Sequence, residues 1–240
     1  MPVKPITDSD TTTSTRAFTL GLPSVVYRAL RSLAHGVNRG YLRVTVEGAS
    51  VVPATGPVIL APVHRSNIDF LVASEVTTRK LFYMAKDSLW KRPRFGAFLE
   101  SIGAFPVHRE GADRLALDRA QAVLERGDAL ILFPEGTRRE GPVVQDLHEG
   151  AAFLAARTGA PIVPIGIGGS DQAMPKGSKM IRPVRIHVVV GRPLAAPARS
   201  AKGRVPRTQV HALTEALRAE LQTLYDEARL RVDDTAPRRR

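Results

Sequence analysis

Cysteine is absent from the chain, which excludes disulfide staples, thiolate nucleophiles and cysteine-ligated zinc. Aromatic residues are scarce, at 5%, and do not interleave with basic residues as in RNA-binding modules; no zinc-finger or leucine-zipper pattern occurs. No glycine-rich phosphate loop of the nucleotide-binding kind is present. Long apolar runs are missing as well: nothing approaches the roughly 18 consecutive apolar residues of a spanning helix. The opening MPVKPITDSDTTTSTR lacks the apolar segment of a signal peptide, and residues 1–17 read as a polar, disordered tail. Acidic residues are outnumbered, 23 against 35 Lys and Arg, giving a net charge of +12 and a pI near 10.8. Such an excess calls for an anionic partner: an anionic membrane surface, a phosphorylated substrate, or nucleic acid, which ranks third because no motif supports it.

What is present suits one folded domain with an appended helix or two. The chain has 240 residues and 43% are hydrophobic, enough for a sizeable core. In residues 18–40, Phe18, Leu22, Val25, Val26, Ala29, Leu30, Leu33 and Val37 recur at helical spacing, with Arg28, Arg31, His35 and Arg39 on the other side. That predicts an amphipathic helix able to associate with a membrane, or else one packed on the core with a solvated basic face. Beyond it, apolar strand-like runs alternate with helical segments. YLRVTVEG, PVILAP, LFYMAK, DALILF, APIVPIGI and VRIHVVVG read as strands. Segments 67–78, 93–99, 113–126, 149–158 and 206–230 read as helices. The expected fold is α/β, a mostly parallel or mixed sheet flanked by helices, over residues 41–230. Residues 195–207 suggest an exposed linker and 231–240 a basic tail.

In such sheets ligands sit at the carboxyl ends of strands, and the polar motifs fall there. VHRSNIDF puts His64 just after a strand and Asp69 about one turn into the next helix. The carboxylate can then fold back on one imidazole nitrogen and leave the other as a base. This is two members of a Ser-His-Asp arrangement without the serine, and a substrate hydroxyl could fill that role. Ser66 lies too close to the base for that geometry and suits a helix cap. FPEGTRR also follows a buried strand: Gly136 permits a tight turn, and Glu135, Thr137, Arg138 and Arg139 cluster beside it. Arginine suits phosphate through its two-pronged donor geometry. GAFPVHR ends in Arg109, a further cation. APIVPIGI could line an acyl chain, although a core strand is its simpler reading. His108, His187 and His211 carry no catalytic signal. Trp90 suits a core position or an interface anchor equally. His64 and Asp69 have no further ligands at metal-binding spacing, so no metal is expected.

The order and spacing of these clusters resemble the glycerolipid acyltransferase superfamily, the 1-acylglycerol-3-phosphate O-acyltransferase family. Its first block, Asn-His, four residues and Asp, matches residues 63–69, except that Val63 replaces the asparagine. Its second block matches Gly103 to Arg109. Phe-Pro-Glu-Gly-Thr-Arg is intact at Phe133 to Arg138, and an apolar Val-Pro block matches Ile162 to Ile167. The similarity covers roughly Val44 to Gly191. A lysine-rich turn common in the family is replaced here by DLHEGAAF; Lys86, in YMAKDSLW, resembles a family Ala-Lys segment and can supply a cation instead.

The resemblance implies transfer of a fatty acyl group from acyl-CoA or acyl carrier protein to a hydroxyl of 1-acylglycerol-3-phosphate, forming phosphatidic acid without a cofactor. Glycerol 3-phosphate or another lysophospholipid is the alternative acceptor, and a non-catalytic membrane-binding role a more distant one. His64 would be the base and Asp69 its orienting partner. Lys86, Arg109 and Arg138 would hold the phosphate, Gly136 and Thr137 would shape the substrate loop, and Glu135 would orient an acceptor hydroxyl. The expected location is peripheral or monotopic, on the cytoplasmic face of the cell membrane.

Overall fold

A computed structural model describes residues 24–108, 113–198 and 205–234. Seven strands form one sheet in the order β1-β7-β6-β2-β5-β3-β4. They are β1 (Thr45–Glu47), β2 (Val58–Pro62), β3 (Leu81–Lys86), β4 (Ala104–Val107), β5 (Ala129–Ile131), β6 (Ile162–Gly168) and β7 (His187–Val190). β6, β2, β5, β3 and β4 run parallel to one another, while β7 is antiparallel to β6 and carries β1 parallel to itself. The central strands β2, β5 and β6 are buried at every position. Their continuous apolar runs are what a sheet covered on both faces requires. The mixed α/β sheet expected from the alternating pattern is therefore observed.

The described helices are α1 (Ser24–Gly36), α2 (Asp69–Ala73), α3 (Pro93–Ser101), α4 (Arg114–Glu125), α5 (Gly150–Thr158), α6 (Ser170–Ala173) and α7 (Arg207–Asp234). α7 lies directly on β6 because of two glycines. A Cβ on Gly166 would come 2.2 Å from the Leu224 carbonyl oxygen, and one on Gly168 would come 2.4 Å from that of Ala228. Any side chain there would push the helix off the sheet. Leu217, Leu221 and Tyr225 of α7 thereby join the main core.

Three details differ from the sequence reading. The helix expected over 67–78 is α2 plus one 3-10 turn, Ser74–Val76. Arg31 of α1 captures the carbonyls of Ser74, Thr77 and Arg79, which ends the helical ladder there. α7 continues through Asp234 instead of stopping at Leu230, with Arg231 pairing with Glu227 one turn back and with Glu47. In α1, Arg31 and His35 are tied to the body of the protein and do not form a free basic face. Arg31 bonds those carbonyls, His35 Nδ1 lies 2.6 Å from Glu75, and the apolar Ala29 and Leu33 are exposed. Residues 1–17 and the part of the amphipathic segment before Ser24 lie outside the described residues, as do residues 199–204 of the 195–207 linker and the tail from 235 onward.

His187, which carried no catalytic signal in the sequence, has a structural place. It is buried on β7, and its Nδ1 shares a 2.6 Å hydrogen bond with Thr45 Oγ1 across to β1. Burial, only partly opposed by the Glu47 carboxylate, pushes its pKa below the usual histidine value. The unfolded chain therefore takes up a proton near pH 6.5 that the folded chain resists. Stability contributed by neutral His187 should be complete above that pH and decline as the pH falls below it. Urea unfolding of the wild type and His187→Asn across this range checks the expectation: the variant should lose part of the acid-side slope.

Candidate active site

β2 and β5 are adjacent and parallel, so the loops after them emerge side by side on one edge. His64 follows β2, and the Phe133–Arg138 turn follows β5. The first loop folds around the Asp69 carboxylate, which is fully buried. Asp69 Oδ2 accepts the backbone N–H groups of Arg65 and Ser66, each at 2.6 Å, and lies 3.0 Å from His64 Nδ1. An ionised carboxylate only accepts, so Nδ1 carries the proton and Nε2 keeps its lone pair. One carboxylate thus shapes the loop and fixes the imidazole tautomer. Ser66 donates its hydroxyl to the Met174 carbonyl at 2.8 Å, which occupies it elsewhere.

The second loop is riveted to the first. Glu135 is fully buried. Its carboxylate accepts the His64 backbone N–H at 2.8 Å and Arg65 Nη1 at 2.7 and 2.8 Å. Arg139 N–H donates to the His64 carbonyl at 2.9 Å. The same carbonyl takes Arg65 Nη1 at 3.1 Å, so the His64 peptide is held from both sides. The expectation that Glu135 orients an acceptor hydroxyl is therefore corrected: both its oxygens face inward and are engaged by Arg65 and the His64 backbone. The physical reason is charge pairing. A buried arginine immediately after His64 needs a counter-ion, and Glu135 supplies it. Burial alone would lower the Arg65 pKa, but the Glu135 carboxylate more than offsets this and the net direction is up, so Arg65 stays a cation. Its guanidinium also lies 4.7 Å from the centre of the Tyr225 ring on α7.

Gly136 turns the β5 loop with φ +67, a conformation that favours glycine, and a Cβ there would come 2.5 Å from the His148 ring. Thr137 is exposed, and Arg138 is half-buried in the turn that Arg139 ties to His64. Lys86 ends β3 on the same edge and is exposed. Arg109 lies outside the described residues. Among the described residues, no group of three or more His, Asp or Glu side chains could hold a metal ion.

Phe133 and the cavity beside it were not singled out by the sequence reading. The Phe133 ring stacks on His64 with centroids 4.1 Å apart and an interplanar angle of 26°. It also lines a cavity of about 510 Å³ whose apolar walls include Met84, Val107, Ala116, Leu117 and Leu132. The segment APIVPIGI, considered above as an acyl-chain lining, is the buried strand β6. The apolar space lies instead between the ends of β3, β4 and β5 and the first turn of α4. Asp113 shapes that rim: it caps α4 by accepting Ala116 N–H at 3.0 Å and also accepts His108 N–H at 2.8 Å. Burial would raise its pKa, but these N–H groups hold it below the usual carboxylate value. Phe133 could have been noticed as the aromatic that opens the FPEGTR block. The cavity residues are scattered over two strands, the loop after β5 and a helix, so no local signal joins them.

The parallel-rich sheet thus brings a His–Asp pair and an apolar cavity to one edge. The chain belongs to the acyltransferase family, whose model matches residues 43–168, more than half of the sequence. It is an acyltransferase by that membership. It is 27% identical over 175 residues to the 1-acyl-sn-glycerol-3-phosphate acyltransferase of Bacillus subtilis, covering 72% of this chain and 83% of that protein. It is 30% identical over 190 residues to the alpha form of that enzyme from Mus musculus, covering 78% of this chain and 65% of the relative. The crystal structure of the 1-acyl-sn-glycerophosphate acyltransferase PlsC from Thermotoga maritima has the same fold, with a TM-score of 0.68 and 22% identity over 91% of this chain and 87% of that one.

Proposed function

We propose that this acyltransferase moves a fatty acyl group from a thioester, acyl-CoA or acyl carrier protein, to the free hydroxyl of 1-acylglycerol-3-phosphate, yielding phosphatidic acid. The observation that carries this reading is the tautomer-fixed His64 stacked on Phe133, which also lines the apolar cavity. An alcohol is a weak nucleophile at neutral pH. His64 Nε2 takes its proton as the oxygen attacks the thioester carbonyl, and Asp69 stabilises the imidazolium that forms. Collapse of the tetrahedral intermediate expels the thiolate, which receives the proton from His64. The substrate provides the nucleophile, so no acyl-enzyme is needed. The acyl chain lies in the apolar cavity. Arg138, Lys86 and Arg109 hold the acceptor's phosphate, and the Gly136–Thr137 turn carries Arg138 to it. No metal or cofactor takes part. Glycerol 3-phosphate is the alternative acceptor.

Thiol release from palmitoyl-CoA in detergent, with lysophosphatidate or glycerol 3-phosphate added, tests the reading. Release stimulated by lysophosphatidate above glycerol 3-phosphate is expected; stimulation by neither would refute it. The cavity assignment has its own test. Leu117→Trp fills space at the cavity wall and should shift preference from palmitoyl towards octanoyl thioesters, with the octanoyl rate largely kept. Equal losses on both donors would count against an acyl chain in this cavity.

The same reading puts the enzyme on the cytoplasmic face of the membrane as a peripheral or monotopic protein. No helix among the described residues is long and apolar enough to cross a membrane. α1 ties Arg31 and His35 to the body of the protein and leaves Leu33 67% exposed, which suits an interfacial helix lying apolar side out. Leu33→Glu should weaken co-sedimentation with anionic vesicles while leaving the thermal midpoint unchanged; undiminished binding would remove α1 from the membrane contact.

A further inference from the structure

The 3-10 turn Asp87–Lys91 and helix α3 follow directly from β3, on the edge that carries the candidate site. Leu89, Phe95 and Phe98 there are 40%, 43% and 44% exposed. Phe95 and Phe98, close to one turn apart on α3, stack with ring centroids 6.3 Å apart. Each leaves more than a third of its surface in water, and a cluster of such side chains marks a contact surface. Lys91, Arg92 and Arg94 are all exposed around them. The segment's two acids, Asp87 and Glu100, are engaged: Asp87 Oδ2 lies 2.7 Å from His108 Nδ1, and Glu100 Oε1 accepts the Trp90 indole N–H at 2.9 Å. The exposed charge around the aromatic pair is therefore dominated by cations.

Trp90 joins the turn to the helix. Its ring lies on Gly96, where a Cβ would come 2.6 Å from the indole, and it is half-buried with its N–H bonded. A ring that is apolar on its body and satisfied at its polar tip suits the boundary between hydrocarbon and water. The patch also adjoins the apolar cavity. His108, paired with Asp87, lines that cavity, and so does Met84, two residues before the end of β3.

We propose that residues 89–98 form a second lipid-contact surface, separate from α1, that docks on an anionic bilayer and sets the rim of the apolar cavity against it. Phe95, Phe98 and Leu89 enter the interface, and Lys91, Arg92 and Arg94 meet lipid phosphates. A lipid substrate then passes between bilayer and cavity without crossing bulk water. That passage rests on the acyl-transfer reading; the docking itself does not.

Trp90 is the only tryptophan in the chain, so its emission reports on this surface without a label. The full chain is mixed with phosphatidylcholine–phosphatidylglycerol vesicles, with and without bromine on the phosphatidylcholine chains. Emission should be at least halved by the brominated lipid. Protein that sediments with both vesicle types but emits equally in each would be bound through another face, and protein that fails to sediment would have no such surface; either result overturns the proposal. In Phe95→Ser/Phe98→Ser, vesicle affinity should fall about tenfold, with thiol release on an acceptor kept below its critical micelle concentration unchanged. Unaltered vesicle affinity in a variant with the wild-type thermal midpoint also overturns it. So would a Trp90 response to an acidic carrier protein but not to vesicles. A wild type that binds and is quenched but releases no thiol would sink the acyl-transfer reading and leave this surface standing.

Discussion

His64→Ala should lower acceptor-dependent thiol release by about 10²–10⁴-fold, the range a positioned general base supplies. Folding should be little affected. Removing the ring costs a single hydrogen bond to Asp69, whose Oδ2 keeps the Arg65 and Ser66 N–H groups. The contact with Phe133 is also lost, so a modest fall in thermal midpoint is expected while the circular dichroism spectrum stays the same. Asp69→Asn should behave differently. An amide offers one acceptor oxygen where the carboxylate oxygen now serves three donors, and its NH₂ can reverse the His64 tautomer. Both activity and stability should fall, because Asp69 organises the loop as well as the base. Full activity in a folded His64→Ala protein would exclude His64 as base while leaving family membership untouched.

Much of this arrangement was legible because it is local. The continuous apolar runs of β2, β5 and β6 announced buried parallel strands. The spacing of His64 and Asp69 depends only on a strand end and the first turn of a helix, so the loop geometry follows from a few adjacent residues. The FPEGTR turn was legible for the same reason, through the conformational freedom of Gly136. What escaped was everything fixed by register between distant segments. Glu135 looked like a substrate-facing acid because it sits with Thr137, Arg138 and Arg139 in a turn at a strand's carboxyl end. Its partner, Arg65, is 70 residues away and reaches it only because β2 and β5 pair. The cavity is of the same kind, since its wall comes from β3, β4, the β5 loop and α4. Likewise the basic residues of α1 appeared to form one free face, towards a membrane or towards solvent, and only the carbonyls left open after α2 explain why Arg31 turns inward.

Glu135→Ala should be the most damaging single change for the fold, at about 3–5 kcal/mol, the usual effect of removing one partner from a buried ion pair. For a chain of this size that is a fall of roughly 6–20 °C in the thermal midpoint. Arg65 would be left as a buried cation with carbonyls from His64 and Val143 but no counter-ion, and the His64 N–H would lose its acceptor. Activity should collapse with stability, which by itself separates nothing. The informative partner is the double variant Arg65→Met/Glu135→Leu. An apolar pair of similar volume avoids the stranded charge and should recover much of the lost stability. It cannot restore the acceptor for the His64 N–H, so the loop that aims the imidazole remains loosened and acyl transfer should stay well below wild type. Recovery of the thermal midpoint without recovery of turnover would assign the Arg65–Glu135 pair to holding the base in place. Recovery of both would make it an ion pair that the fold tolerates and the reaction does not use.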